Sequence, residues 1–221
     1  MATEVIVAVA PFDNRSDFRV VNDFARQTGW LHGFFTFFAT YGIGLFVVLL
    51  LAGWWRSRRD NSSMTLARLL WAPLAALLAV AINQPIVAAV HEKRPFVALP
   101  HVLTLIHHAA NPGFPSDHAT ACGALGVGLI LASRRAGWLA ALVALLVAFS
   151  RVYVGVHYPG DVLAGLALGA AVTLIGLRPA TWLLRRFTDA LGRSRLAPLV
   201  RAEPAEATPT GVAETAGAHR R

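Results

Sequence analysis

Between about residues 30 and 178 the chain alternates long apolar runs with short polar breaks. A helix needs roughly 20 residues to cross a hydrocarbon core about 30 Å thick. Five runs approach that length, at roughly 30–55, 66–90, 117–133, 137–154 and 161–178. The last three are rich in Ala, Gly and Leu. Their glycines, among them Gly123, Gly126, Gly128, Gly165 and Gly169, let neighbouring helices approach closely. Asn83, Gln84 and Pro85 interrupt the second run and read as support for helix packing with a local kink, rather than as substrate contacts. The pattern predicts an all-α, polytopic membrane helix bundle of about five transmembrane helices.

The flanks carry different patterns. Between residues 11 and about 27, Phe18, Val21, Phe24 and Ala25 recur at helical spacing among Asp17, Arg19, Asp23 and Arg26. That is the signature of an amphipathic helix lying at the membrane interface. Trp182 to about Arg195 reads as a second amphipathic helix, this one basic. The Pro-, Ala-, Glu- and Thr-rich remainder lacks apolar periodicity and reads as disordered. The expected organisation is an interfacial segment at 1–27, a transmembrane core at 28–180, a basic segment at 181–200 and a tail at 201–221. The first residues lack the basic-then-apolar order of a cleaved signal, so the first span is expected to direct insertion.

Composition agrees with a membrane class: 56% of residues are hydrophobic and 14% charged, with a mean hydropathy of +0.54. The net charge of +8 could point to nucleic acid. Its arginines, however, lie in clusters beside the apolar runs, as topology signals and contacts for anionic headgroups do. Nucleic-acid binding is therefore set aside. Arg56, Arg58 and Arg59, then Arg134 and Arg135, then Arg185, Arg186, Arg193 and Arg195 all fall on one side of a five-span bundle. The positive-inside rule makes that side cytoplasmic, with the C-terminus. The loop at about 91–116 and the turn around His157 then face outside the cytoplasm. Cys122, the only cysteine, excludes an intramolecular disulfide and reads as a small packing residue. Trp54, Trp55, Trp71 and Trp138 read as interface anchors.

Three polar segments meet on the outer face. His91-Glu92-Lys93-Arg94-Pro95-Phe96 ends the second span, and Phe114-Pro115-Ser116-Asp117-His118 precedes the third, with Ser116 as a natural helix N-cap. Ser150-Arg151, followed by His157, Tyr158, Pro159 and Asp161, joins the fourth span to the fifth. Charge at the edge of a span is costly and points to function. A histidine beside a carboxylate and a cation suits nucleophilic attack on a phosphate.

These residues resemble the type-2 phosphatidic acid phosphatase superfamily, which carries Lys-x6-Arg-Pro, Pro-Ser-Gly-His and Ser-Arg-x5-His-x3-Asp blocks. The third block is matched by Ser150, Arg151, His157 and Asp161, and the second by Pro115, Ser116 and His118, with Asp117 in place of Gly. The first is matched at Arg94 and Pro95, with Val87 where the lysine would be. Asp117 and the Arg-Pro-Phe ending look most like the bacitracin-resistance type of undecaprenyl-diphosphatase. The resemblance implies that His157 attacks phosphorus to form a phosphohistidine, oriented by Asp161, while His118 serves as acid and then base. It implies that Arg94, Arg151 and Ser116 hold the phosphate. Lys93 is a candidate substitute cation, ranked below Arg94, and Asp117 supports a histidine or the helix N-terminus. The implied activity is removal of phosphate from undecaprenyl or another polyprenyl diphosphate at the outer face of a bacterial plasma membrane. No cofactor and no metal are implied, and no oligomeric state.

Other readings remain beside this one. Phosphatidic acid or phosphatidylglycerol phosphate would suit the same chemistry, and a non-catalytic transporter would use the cluster for ion passage. Arg151 and Asp161 could form a structural ion pair, and Ser150 could serve packing alone. His91, His101, His107 and His108 invite a metal reading, but their spacing matches no standard zinc pattern, so contact with the interface or with the substrate headgroup is preferred.

Overall fold

The computed structural model describes residues 14–201. Among them the regular structure is entirely helical. Helix α1 (Asn14–Gln27) is followed by a 3-10 turn, α2 (His32–Tyr41), α3 (Gly44–Arg59) and α4 (Ser63–Val90). Then come a short α5 (Pro95–Ala98), α6 (Asp117–Ala132), α7 (Arg134–Tyr153), α8 (Pro159–Leu191) and a short α9 (Ala197–Val200). Three stretches are long and apolar enough to cross a membrane: Ser63–Ala98, Arg134–Tyr153 and Pro159–Leu191. The protein is an integral membrane protein.

Two spans differ from the expected outline. The run at 30–55 is not one helix; Gly29–Tyr41 and Gly44–Arg59 meet at a bend of 60°. Gly42 and Gly44 flank the break, where glycine weakens a helix, and Gly42 lies against Val147 of α7. The fifth run does not stop near 178. Helix α8 continues through Pro179 to Leu191, so the basic segment from Trp182 extends that helix instead of forming its own. The predicted tail, apart from Arg201, lies outside the described residues, as do residues 1–13.

Helix α6 is the centre of the bundle, packed by α4, α7 and α8. Its 16 residues rise only about 24 Å, less than the hydrocarbon thickness. Small residues explain its position: Ala119, Gly123, Ala124 and Gly128 are all buried and leave room for three neighbours. A Cβ on Gly165 of α8 would stand 2.7 Å from the Ser116 carbonyl oxygen, so only glycine lets α8 close on the start of α6. Leu69, Trp71, Ala72, Leu125 and Leu129 complete the core nearby. Trp71 is thus not an interface anchor. It is 8% exposed, and its indole N–H donates to Thr173 O at 3.0 Å. Trp138, by contrast, is 76% exposed.

Connectivity gathers the ends of the bundle into two sets. Arg68 Nη1 donates to Leu131 O, tying the start of α4 to the end of α6, and Trp54 Nε1 donates to Leu199 O beyond α8. The arginine clusters therefore share one end. The end of α4, the starts of α6 and α8 and the end of α7 form the other.

At that second end, α1 packs across the bundle. Its inward face is Phe18, Asn22 and Ala25, whereas Val20 and Phe24 are exposed. Phe18 meets Tyr158 edge-on at 5.5 Å between ring centroids. Asn22 pairs with the Leu103 peptide, donating at 2.8 Å and accepting at 3.0 Å. Asn14 accepts from Gly160 N at 2.7 Å. The helix predicted to lie on the interface also braces the loop and turn beside it.

Candidate active site

Helix α8 opens at Pro159, which supplies a helical φ and lacks only an N–H that would have no intrahelical partner. Asp161, two residues on, reaches back: its Oδ2 accepts from Tyr158 N at 2.9 Å. The same oxygen lies 3.2 Å from His157 Nδ1. One carboxylate thus caps the helix and holds the imidazole. Asp161 and His157 are 0% and 2% exposed.

The tautomer of His157 follows from its neighbours. Arg94 Nη1 lies 2.9 Å from His157 Nε2, and a guanidinium can only donate. Nε2 is therefore the acceptor and Nδ1 carries the proton toward Asp161. The ring's lone pair therefore sits on Nε2, where Arg94 donates to it. Burial, followed by the charges of Arg151, Arg94, His108 and His118, holds this imidazole well below its ordinary 6.5. The shift favours the neutral ring, the form of an imidazole that can act as a nucleophile.

Arg94 follows α4 in a short extended segment that begins at His91, a non-glycine residue with φ of 54°. Its side chain is 6% exposed and reaches four other acceptors. Nε donates to Asn111 O at 3.0 Å and to its Oδ1 at 3.2 Å; Nη1 also reaches Val156 O, and Nη2 reaches Pro112 O. Buried charge is tolerable only with such partners. Arg151, on the last turn of α7, is 2% exposed and less satisfied. Nη1 donates to Ala39 O at 3.0 Å, while Nε and Nη2 are buried without a partner. Two unpartnered guanidinium donors suit an anion.

Ser116 caps α6 and is fully buried; its N–H donates to Asp161 O at 3.0 Å, which joins the starts of α6 and α8. His118, in the first turn of α6, is half-buried and feels the charges of Arg151, His108, Asp117 and Arg94. The carboxylate of Asp117 is steered from α4. Asn83 Nδ2 donates to its Oδ1 at 2.7 Å and Gln84 Nε2 at 2.9 Å, while Asn83 also bonds Pro115 O. Asn83 and Gln84 therefore position the second polar block, beyond the packing role expected of them.

The structure brings His157, Asp161, Arg94, Arg151, Ser116 and His118 to one end of the bundle, with Asp117 beside them. Lys93 differs: it is exposed where Arg94 is buried, so the two side chains leave the chain in different directions. Ser150 donates to Leu146 O at 2.6 Å, one turn back on its own helix. Asn111 and His108 join the group without having been placed there by any spacing. His108 lies with its ring centroid 6.4 Å from that of His157, nearly perpendicular. Only a polar residue beside Pro112 and Gly113 hinted at Asn111.

A buried histidine–aspartate pair ringed by guanidinium groups, at one end of an apolar bundle, is suited to phosphoryl transfer at a membrane. Residues 68–185 match the PAP2 superfamily, and the chain belongs to it. It is a membrane phosphatase. The chain is 33% identical to the undecaprenyl-diphosphatase BcrC of Bacillus subtilis, over 81% of this chain and 90% of that protein. Among solved structures, LpxE of Aquifex aeolicus superposes with a TM-score of 0.60 at 25% identity, over 77% of this chain and 98% of that one. The first transmembrane PAP2-type phosphatidylglycerolphosphate phosphatase from Bacillus subtilis superposes at 0.56 with 21% identity, over 86% and 92%, and shares the fold.

Proposed function

We propose that the protein hydrolyses a polyprenyl diphosphate, undecaprenyl diphosphate above all, to the monophosphate and inorganic phosphate. The observation that carries this is the pair of unpartnered, buried donors on Arg151 next to a neutral, Asp161-held His157. An anion there would meet fixed donors before reaction begins. Similarity to an undecaprenyl-diphosphatase over most of both chains supports the lipid diphosphate.

The chemistry proceeds in two displacements. His157 Nε2 attacks the terminal phosphorus, the N–P bond forms, and the bond to the bridging oxygen breaks. His118 delivers a proton to that oxygen as the lipid monophosphate departs. Asp161 supports the positive imidazole ring. His118 then takes a proton from water, whose oxygen attacks phosphorus and releases His157. Arg94, Arg151, Ser116 and the first N–H groups of α6 hold the phosphoryl oxygens. Asp117 orients this helix start, and Lys93 meets the substrate only at the rim. Every charge needed is supplied by side chains, so turnover is expected to be indifferent to chelator.

The site is assigned to the outer face of the plasma membrane, with the C-terminus in the cytoplasm, because the arginine clusters share the opposite end. Residues 28–180 are assigned as the catalytic core. Phosphate release from undecaprenyl diphosphate, phosphatidic acid and phosphatidylglycerol phosphate, each with and without chelator, tests the reading. Preference for the diphosphate, lost in His157→Ala, is expected. Preference for a monoester lipid would replace the substrate, and turnover retained by His157→Ala would remove the mechanism.

A further inference from the structure

Beyond the groups matched by the family's blocks, one more titratable side chain is built into the site. His108 belongs to the connection between α5 and α6, and that connection is pinned along its length. Asn22 holds the Leu103 peptide from both sides, Leu105 N donates to Val154 O at 3.1 Å, and Gly113 N donates to Glu92 O at 2.9 Å. Gly155, with φ of 85°, lies directly under the Leu103 carbonyl, where any Cβ would collide. The loop therefore rests on the same turn that carries His157.

The ring of His108 is also oriented. Its Nδ1 lies 3.1 Å from Ala109 O, which makes Nδ1 the donor and leaves Nε2 to meet a ligand. The ring stands nearly perpendicular to His157 at 6.4 Å. Charged and titratable groups face it from every neighbouring element: Arg94 after α4, His118 on α6, Arg151 on α7 and His157 in the turn, with His107 on its own loop. Meanwhile the first block carries Val87, half-buried and neutral, in place of a cation.

We propose that His108 is a further substrate-binding residue of this phosphatase, whose Nε2 takes up a proton as the phosphate dianion binds over His157 and donates a hydrogen bond to it. This rests on the function proposed above. Before substrate binds, burial and the charges of Arg94, Arg151 and His107 keep the ring below its usual 6.5, against the pull of the Ala109 bond. The arriving dianion reverses the local field and favours the charged form. Binding thus takes up a proton, so affinity declines as pH rises through the range where the bound complex holds that proton and the free ring does not, and it levels off above that range.

The test uses the purified full-length chain in detergent, with initial rates on a lipid diphosphate across about pH 5 to 9, and competitive inhibition by inorganic phosphate as a second readout. His108→Gln keeps a polar side chain but cannot titrate. It is expected to raise KM and the inhibition constant for phosphate about tenfold, with kcat within about threefold. It should also flatten the decline in kcat/KM above neutral pH, with an unchanged unfolding midpoint. His108→Lys, carrying a charge, should restore KM, and Arg185→Ala, an exposed arginine at the opposite end of the bundle, should match the parent protein. A parent-like KM and pH profile in His108→Gln, with the parent active, would overturn this contact alone. A parent that hydrolyses no lipid diphosphate would overturn the proposed function itself, and the contact with it.

Discussion

At the end of the bundle that holds the polar cluster, Arg94 and Arg151 are almost wholly buried and donate to carbonyls as distant as Val156 and Ala39. At the other end Arg56 and Arg185 are exposed and pair with Asp60 and Asp189, each four residues further along the chain. Arg58 and Arg59 lie over Trp55, and Arg186 over Trp182, in local stacking contacts. The same residue type thus does two different things. Local pairs on a rim are exchangeable and contribute little. A guanidinium fixed by remote backbone groups is already in place when a phosphate arrives, which is how a site lowers a barrier without reorganising.

Substitution should separate the two ends sharply. Arg151→Lys removes the planar fork that leaves two donors free, and roughly a hundredfold to a thousandfold loss in kcat/KM is expected. Initial rates on the folded variant check this, and a loss under about threefold would place Arg151 with the rim arginines. Gly165→Ala should destabilise by about 1–3 kcal/mol, read by thermal unfolding, because its methyl group meets the Ser116 carbonyl. Unfolding at the parent temperature would show that α6 and α8 do not need this approach. Arg185→Ala is expected to change stability by roughly 0–1 kcal/mol and activity by less than about twofold. A larger effect would mean that the rim also supports the site.

A pH series sharpens the same contrast. Burial and two neighbouring guanidinium groups lower the affinity of His157 for a proton, so the reactive neutral ring persists as pH falls through 6.5. The acid limb of kcat/KM is expected well below that value; a limb centred near 6.5 would describe an exposed imidazole. Stability follows with a definite sign. The unfolded chain takes up the proton near 6.5 and the folded one does not, so this contribution is complete above 6.5 and is lost as pH falls below it.

Much of this arrangement was legible in the chain because its motifs sit where apolar runs end. Periodicity marked α4, α6, α7 and the start of α8, and connectivity alone required their polar edges to meet. What escaped depended on neighbours. Trp71 is one of several tryptophans near basic residues, yet an aromatic facing protein and one facing lipid give the same apolar pattern. The break at Gly42 comes from weakened helix propensity and contact with Val147, a partner more than 100 residues away. Phe24 continues the apolar spacing of α1, but Asn22 takes the inward position because the Leu103 peptide needs both a donor and an acceptor. Asn83 and Gln84 interrupt a hydrophobic run for a reason visible only once Asp117 lies across from them. His108 has no spacing relation to His157 at all, since the loop fold creates their contact.

In the proposed mechanism, Nε2 of His157 carries the phosphoryl group between the two displacements. A single turnover with undecaprenyl diphosphate labelled at the terminal phosphate, quenched in alkali to preserve an acid-labile N–P bond, tests it directly. Acid-labile label is expected on the peptide containing His157, appearing with the first burst of lipid monophosphate and absent from His157→Gln. Turnover of the parent protein with no trapped label, or with label on another residue, would contradict the account.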